Sequence, residues 1–366
     1  MFNDVFKNKT VFVTGHTGFI GSWLCSWLQL LGAKVIGYSL SPNTMPSMFE
    51  IVNLEKTIVS IIGDINDKKN LQNCLIQYKP DIVFHLAAQP LVNVSYENPL
   101  ETFQTNIIGT LNILEIIRSM ESVKVCVMMT SDKCYENKEV NYAYKENDPL
   151  GGYDPYSASK GAAELTISSY RYSFFNPNDF LKHKKSISTI RAGNVIGGGD
   201  WSQDRIVPDC IRALMDNKQI SVRSPNSIRP WQHVLESVSG MLCLAAKMWE
   251  KPIDFSGPWN FGPLLENKTC LVKDIVGLII KNWGKGGWID ISEKIQNHEA
   301  KILMLDPTKA HTLLEWSPVY NTEEAVEKTV DWYKELDLKT NSHITDKQIF
   351  DYIKKARHMN IQWAME

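Results

Sequence analysis

Thr10-Val-Phe-Val-Thr14, running directly into Gly15-His-Thr-Gly18-Phe-Ile-Gly21, is the stretch on which the reading of this chain turns. Four β-branched residues around a phenylalanine suit a buried strand, and Ile20 to Leu31, closed by Gly32, has the apolar spacing of a helix. Glycines between a strand and a helix let a ligand approach the backbone closely, and the free amides at the helix start hold negative phosphates. Gly15, Thr17, Gly18, Phe19, Ile20 and Gly21 are therefore expected to cradle a dinucleotide. The spacing is Gly-x-x-Gly-x-x-Gly rather than the commoner Gly-x-Gly-x-x-Gly, and a purely structural turn is the alternative.

Outward from this loop the chain alternates. Lys34 to Ser39, Thr57 to Ile62, Asp81 to Leu86 and Val123 to Thr130 read as strands. Lys68 to Tyr78 and Pro99 to Ser119 read as helices. Strands alternating with helices predict an α/β fold with a doubly wound, Rossmann-like parallel sheet. A further helix begins at Asp154-Pro155, where Asp caps free amides and Pro suits the first turn, and Ser186 to Ile190 makes another strand. After Ile190 the rhythm weakens. Residues 1–190 are expected to form the dinucleotide-binding domain and 191–366 mainly a smaller C-terminal substrate-binding domain. A segment near 232–262, around Trp259-Asn-Phe-Gly262, is expected to return to the sheet.

Composition narrows the function. The 366 residues are 43% hydrophobic and 22% charged with a net charge of −2, which suits a globular enzyme and gives no reason to expect nucleic acid or membrane as partner. A small-molecule substrate is the default. Seven scattered cysteines without a Cys-x-x-Cys pair suggest neither disulfides nor a thiolate metal site, and a cytoplasmic location is expected. Met1 to Lys9 lacks the apolar stretch of a signal peptide, and no run approaches a membrane span. No His, Cys, Asp and Glu spacing looks like a metal site.

The strand Lys34 to Ser39 ends Gly37-Tyr38-Ser39, without the acidic residue that usually grips the NAD ribose and without an arginine for a 2′-phosphate, so this position does not choose between NAD and NADP. Asp64, in Gly63-Asp-Ile65, reads either as an adenine-side contact or as a strand-end turn. Ile65 and, after the fourth strand, Leu86, Ala87 and Ala88 are expected beside the cofactor. Tyr156 and Lys160, four apart just inside the helix begun by Asp154-Pro155, project from one face. A lysine ammonium near a phenol favours phenolate, giving a tyrosine able to take a proton from a sugar hydroxyl. Alone, such a pair is ordinary helix surface; together with the glycine loop it reads as catalytic.

The glycine loop, Tyr156, Lys160 and Ser131 resemble the extended branch of the short-chain dehydrogenase/reductase superfamily over nearly the whole chain. The resemblance implies bound NAD and a Ser131 that hydrogen-bonds the reacting hydroxyl. Sugar-nucleotide dehydratases place acid and base groups directly after that serine, and epimerases generally do not. Ser131-Asp-Lys-Cys-Tyr-Glu-Asn137 is similar to the CDP-glucose 4,6-dehydratases, as are Asp154-Pro-Tyr-Ser-Ala-Ser-Lys160, Arg191-Ala-Gly-Asn-Val-Ile-Gly-Gly-Gly-Asp-Trp201 and Arg229-Pro-Trp-Gln-His-Val-Leu235.

That likeness implies Asp132 as the acid for the departing C6 hydroxyl. It leaves Lys133 either as the C5 base or as a substrate-orienting group, with Tyr156 then the base. Arg229 is expected at the substrate diphosphate and Asn194 nearby. Gln89, Asn106 and Arg205 are further substrate candidates, Arg205 reading equally as surface, and His233 reads as structural. Related enzymes usually carry Lys at the position of Ile20 and Arg at that of Asn93, so two positive charges are missing here. The expected reaction is NAD-dependent dehydration of a nucleotide-linked hexose, CDP-glucose first. The alternatives are a 4-epimerase, a dehydratase for another nucleotide, and a non-catalytic dinucleotide-binding regulator. The superfamily's pairing of two long helices implies a homodimer or homotetramer.

Overall fold

The computed structural model describes residues 1–264, 270–294, 300–336 and 342–365. Seven parallel strands form the main sheet: β1 (Thr10–Thr14), β2 (Lys34–Ser39), β3 (Val59–Ile62), β4 (Ile82–His85), β5 (Val125–Met129), β6 (Ser186–Ala192) and β7 (Gly257–Phe261). Their order is β7-β6-β5-β4-β1-β2-β3. The near-continuous apolar runs of β1, β4 and β5 belong to strands covered on both faces. β3, at one edge, leaves Ile62 in solvent, and β7, at the other, accommodates Pro258 where one side of the ladder is open.

Six helices matter for the site: α1 (Phe19–Leu30), α2 (Lys68–Tyr78), α3 (Thr110–Ser119), α4 (Pro155–Ser173), α5 (Ile206–Met215) and α6 (Val234–Glu250). Successive β1 side chains point to opposite faces, so Phe12 enters a core with Leu71, Ile113 and Ile167, beneath α2, α3 and α4. Val11 and Val13 enter the larger core on the other face, with Trp23 and Trp27 of α1, Val238 and Leu242 of α6, and residues as late as Trp363. One core thus runs across residue 190, so the later half is welded to the sheet rather than tethered to it.

The helix expected over residues 99–119 is three stretches, Pro99–Phe103, a widened π-type turn over Gln104–Gly109, and α3. The wide turn inserts Asn106 between the strand-end loop after β4 and α4. Its amide nitrogen donates to the Gln89 carbonyl (3.1 Å) and to Ser159 Oγ (2.8 Å). Short helices at Met48–Ile51, Leu54–Thr57 and Val92–Glu97 carried too little periodicity to be read from the sequence.

Candidate active site

β1 and β4 are neighbours in the sheet although distant in order, so the loops that follow them part and leave a crevice at their carboxyl ends. Thr14 holds the crevice together. Its Oγ1 bonds His85 Nδ1 (2.8 Å) and accepts from the amides of Leu86 and Ala87 (3.2 Å each), while His85 Nε2 meets Thr110 Oγ1 (3.0 Å). Burial, with a smaller push from Lys160, lowers His85 to about 3, so this link is neutral at physiological pH.

The glycine loop fits a pyrophosphate in the way its residues predict. Gly15 has φ +78°, and a Cβ there would lie 2.8 Å from the Ala87 nitrogen. A Cβ on Gly21 would lie 2.0 Å from the Gly15 carbonyl oxygen, so α1 starts directly under the turn and aims its free amides into the crevice. Gly15, Thr17, Gly18, Phe19, Ile20, Gly21, Ile65, Leu86, Ala87 and Ala88 all line one cleft of about 690 Å³. At the end of β2 the Thr17 hydroxyl lies 2.9 Å from both Ser39 Oγ and the Leu40 carbonyl. Ser39, Leu40, Ser41 and Asn43 line this end without a lysine or arginine, so the described wall offers no cation for a 2′-phosphate. Asp64 makes the strand-end turn of its second reading, its Oδ1 accepting from the Asn66 amide (2.8 Å), and it also lines the cleft.

At the reacting end, two elements bring the candidate groups together. Ser131 follows β5, and Tyr156 and Lys160 come from the first turns of α4. The Asp154 carboxylate accepts from the Ser157 amide (2.9 Å), which fixes the start of that helix. The spacing of Tyr156, Lys160 and Glu164 puts all three on its buried side. Burial pushes the Tyr156 phenol up to about 12, the Ser131 hydrogen bond and Arg205 pulling against it and Asp132 with it. Burial also lowers Lys160 to about 8, although Glu164 and Cys134 favour its charged form.

Ser131 Oγ donates to Asp132 Oδ1 (2.9 Å) and accepts from the Lys133 amide (3.2 Å). Asp132 is 3% exposed, and its Oδ2 has no hydrogen-bond partner among the described residues. Burial raises its pKa above the ordinary carboxyl range, against Lys133, Ser131 and Arg229. A buried carboxyl that holds its proton more tightly than an ordinary aspartate, beside Ser131 and in the same cleft as Tyr156, has the chemistry of a proton donor. Lys133 lines the same cleft.

The far end is walled by Asn194, Arg205, Arg223 and Arg229. Arg205 Nη1 bonds Asp200 Oδ2 (3.0 Å) and its side chain stays about one third exposed, between the two roles the sequence allowed. Arg229 is buried, with Nη1 on the Ile228 carbonyl (2.8 Å). Ile20 and Asn93 also face the cleft. Gln89 and Asn106 do not line it. The Gln89 side chain bonds Leu91 and Thr102, and Asn106 bonds Gln89 and Ser159, so these two brace the loop after β4. His233 caps α6 through Nδ1, accepting from the Leu235 amide (3.3 Å), as its structural reading had it.

Beneath the site lies a network that sequence reasoning missed. Glu164 accepts from Arg191 Nη2 (2.7 Å), Thr130 Oγ1 (2.5 Å) and Thr189 Oγ1 (3.1 Å), tying α4 to β5 and β6. Arg191 Nη1 continues to Tyr135 Oη (2.9 Å), which donates to Asn260 Oδ1 of β7 (2.6 Å). Residue spacing gave no signal of it, because its members are far apart in the chain. Asp200, Asp204, Asp209 and Arg223 of the cleft wall were likewise not singled out.

Fold and cleft together define the class: an α/β enzyme whose parallel sheet opens on a glycine-rich crevice fit for a dinucleotide, with Ser131, Asp132, Tyr156 and Lys160 lining the same cleft. The chain belongs to the family described as GDP-mannose 4,6 dehydratase, whose model matches residues 12–329. It is 48% identical over 332 residues to CDP-glucose 4,6-dehydratase of Salmonella typhimurium (strain LT2), covering 90% of this chain and 92% of that protein. Among solved structures it resembles UDP-glucose 4-epimerase from Thermotoga maritima (TM-score 0.75, 22% identity, 89% of this chain and 99% of that one). It also resembles dTDP-glucose 4,6-dehydratase from Bacillus anthracis in complex with NAD (TM-score 0.72, 19% identity, 90% and 97%). At these identities the two structures speak for the fold alone.

Proposed function

We infer that this chain is an NAD-dependent sugar-nucleotide 4,6-dehydratase, a hydro-lyase that converts CDP-glucose to CDP-4-keto-6-deoxyglucose and water. The 48% identical relative supports the substrate. The observation that carries the reaction type is Asp132, buried beside Ser131 with one carboxyl oxygen unpartnered among the described residues and a raised pKa. An epimerase needs the Ser-Tyr-Lys centre but no acid at that position.

The crevice between the loops after β1 and β4, with its glycine turn, would hold NAD, which would supply a positive charge and a hydride carrier between C4 and C6. Tyr156 takes the proton of the C4 hydroxyl, with Ser131 holding that oxygen and the Lys160 ammonium favouring phenolate. The 4-keto group that results acidifies C5–H. Lys133, or Tyr156 once it has passed on its first proton, accepts the C5 proton and returns it to C5 when hydride adds at C6, and Asp132 protonates the C6 oxygen as it departs as water. Arg229, Arg205 and Asn194 stand where the diphosphate lies. Mass spectrometry of purified protein with CDP-glucose tests the reading: loss of one water supports it, whereas an isomer of unchanged mass points to the epimerase.

A homodimer or homotetramer is part of the same reading. Leu100 and Ile108, on the stretch before α3, and Leu165 and Tyr172 of α4 are exposed apolar groups on helices that pack together, as an interface between copies requires. All seven cysteines are free, and no described helix is long and apolar enough to cross a membrane, which supports a reducing, cytoplasmic setting.

A further inference from the structure

Six carboxylates line the cleft: Asp64, Glu101, Asp132, Asp200, Asp204 and Asp209. The last three stand on the stretch that enters α5 and on its first turn, and each meets an arginine. Asp200 is spent, with Oδ1 on the Ser202 amide (3.1 Å) and Oδ2 on Arg205 (3.0 Å). Asp204 sits in an exposed turn with φ 62° and bonds Arg223 Nη1 (2.9 Å). Asp209 differs. It is half-buried on α5, and its Oδ1 accepts from Arg212 Nη2. Arg212 is itself pinned to the carbonyls of Trp201 (2.8 Å) and Ser202 (3.1 Å). The other Asp209 oxygen has no donor among the described residues. A fixed carboxylate with one open oxygen therefore looks into a cleft flanked by Val207 and Pro208, with Ser221 and Arg223 also lining it.

We propose that Asp209 reads the base as cytosine, its open carboxylate oxygen accepting a hydrogen bond from the exocyclic amino group at C4 of the ring. The inference rests on the reading of the chain as acting on CDP-glucose. Cytosine presents a donor at that corner where uracil and thymine present a carbonyl oxygen, so a carboxylate attracts the first and repels the others. Burial pushes the Asp209 pKa up, and the Arg212 contact opposes that push and favours the charged acceptor. The diphosphate is common to all nucleoside diphosphate sugars, so the arginines alone cannot make this choice.

The test compares CDP with UDP as inhibitors, and CDP-glucose with UDP-glucose as substrates, in wild type and Asp209→Asn holoenzyme. Wild type is expected to favour the cytidine compound by about 10- to 100-fold, the range of one charge-assisted hydrogen bond. In Asp209→Asn that preference should shrink to a few-fold, because an amide can turn its NH2 to a uracil oxygen, while NAD affinity and melting temperature serve as controls for folding. A preference unchanged in the variant overturns the inference and leaves the proposed reaction standing. Failure of wild type to dehydrate CDP-glucose removes the reading beneath it. Should the variant not fold, the diphosphate of the 2-pyrimidinone riboside, which lacks the amino group, decides on wild type. At least ten-fold weaker inhibition than by CDP supports the role of Asp209, and equal inhibition rejects it.

Discussion

Tyr156 and Asp132 divide the chemistry between a redox proton and a leaving-group proton, and single substitutions should separate the two. Tyr156→Phe removes the acceptor of the C4 hydroxyl proton, and turnover should fall by about 10²- to 10⁴-fold with NAD still bound. Asp132→Asn should lose water elimination to a similar degree yet still oxidise C4, so the absorbance of reduced nicotinamide should accumulate on mixing with substrate. Absence of that signal would remove Asp132 from the elimination step alone. Lys160 carries an opposite kind of consequence. Its folded pKa is lowered to about 8 from 10.5, so between those values the unfolded chain binds the extra proton and stability rises with pH. Below pH 8 the buried ammonium is a burden, and Lys160→Met should stabilise the cofactor-free chain at pH 7 by on the order of 1–3 kcal/mol while abolishing activity. Thermal unfolding at pH 7 and pH 9.5 checks this, the gain shrinking at the higher pH.

Among the elements, α4 shows what can and cannot be read from a sequence. Its cap at Asp154-Pro155 and the four-residue step from Tyr156 to Lys160 are local, and both stand as the residues predict. β1 and β2 match their predicted limits residue for residue, because a run of buried β-branched side chains has few alternatives. What the sequence hid is non-local. The anchoring of α4 through Glu164 and Arg191 needs partners from β5, β6 and β7, and the bracing of Gln89 by Asn106 depends on the wide turn that carries Asn106. Glu164 and Arg191 are each within 3% of full burial, so Glu164→Gln, which leaves the guanidinium unpaired, should cost about 3–5 kcal/mol in urea unfolding at pH 7. Burial works to raise the Glu164 pKa, but Arg191 and its hydroxyl partners hold it below the ordinary 4.5. The stability it contributes is therefore full above that value and lost as pH falls through the depressed one. The variant should lose the corresponding part of the acid unfolding limb.

At the scale of the whole molecule, the exposed apolar groups on the 99–109 stretch and α4 predict self-association, and Leu100→Glu with Leu165→Glu should shift sedimentation toward a single copy without unfolding the chain. The separate origins of the two cleft walls have another consequence. The reacting wall comes from residues 131–160, whereas the wall assigned to the nucleotide comes from 194–229. Such a layout is modular within limits: the nucleotide wall is one contiguous segment that a transplant can exchange, provided Arg205 and Arg229, whose charges reach Tyr156 and Asp132, are kept. A lineage, or an engineer, that keeps those two arginines can thus diversify the sugar nucleotides accepted while sparing the reaction itself.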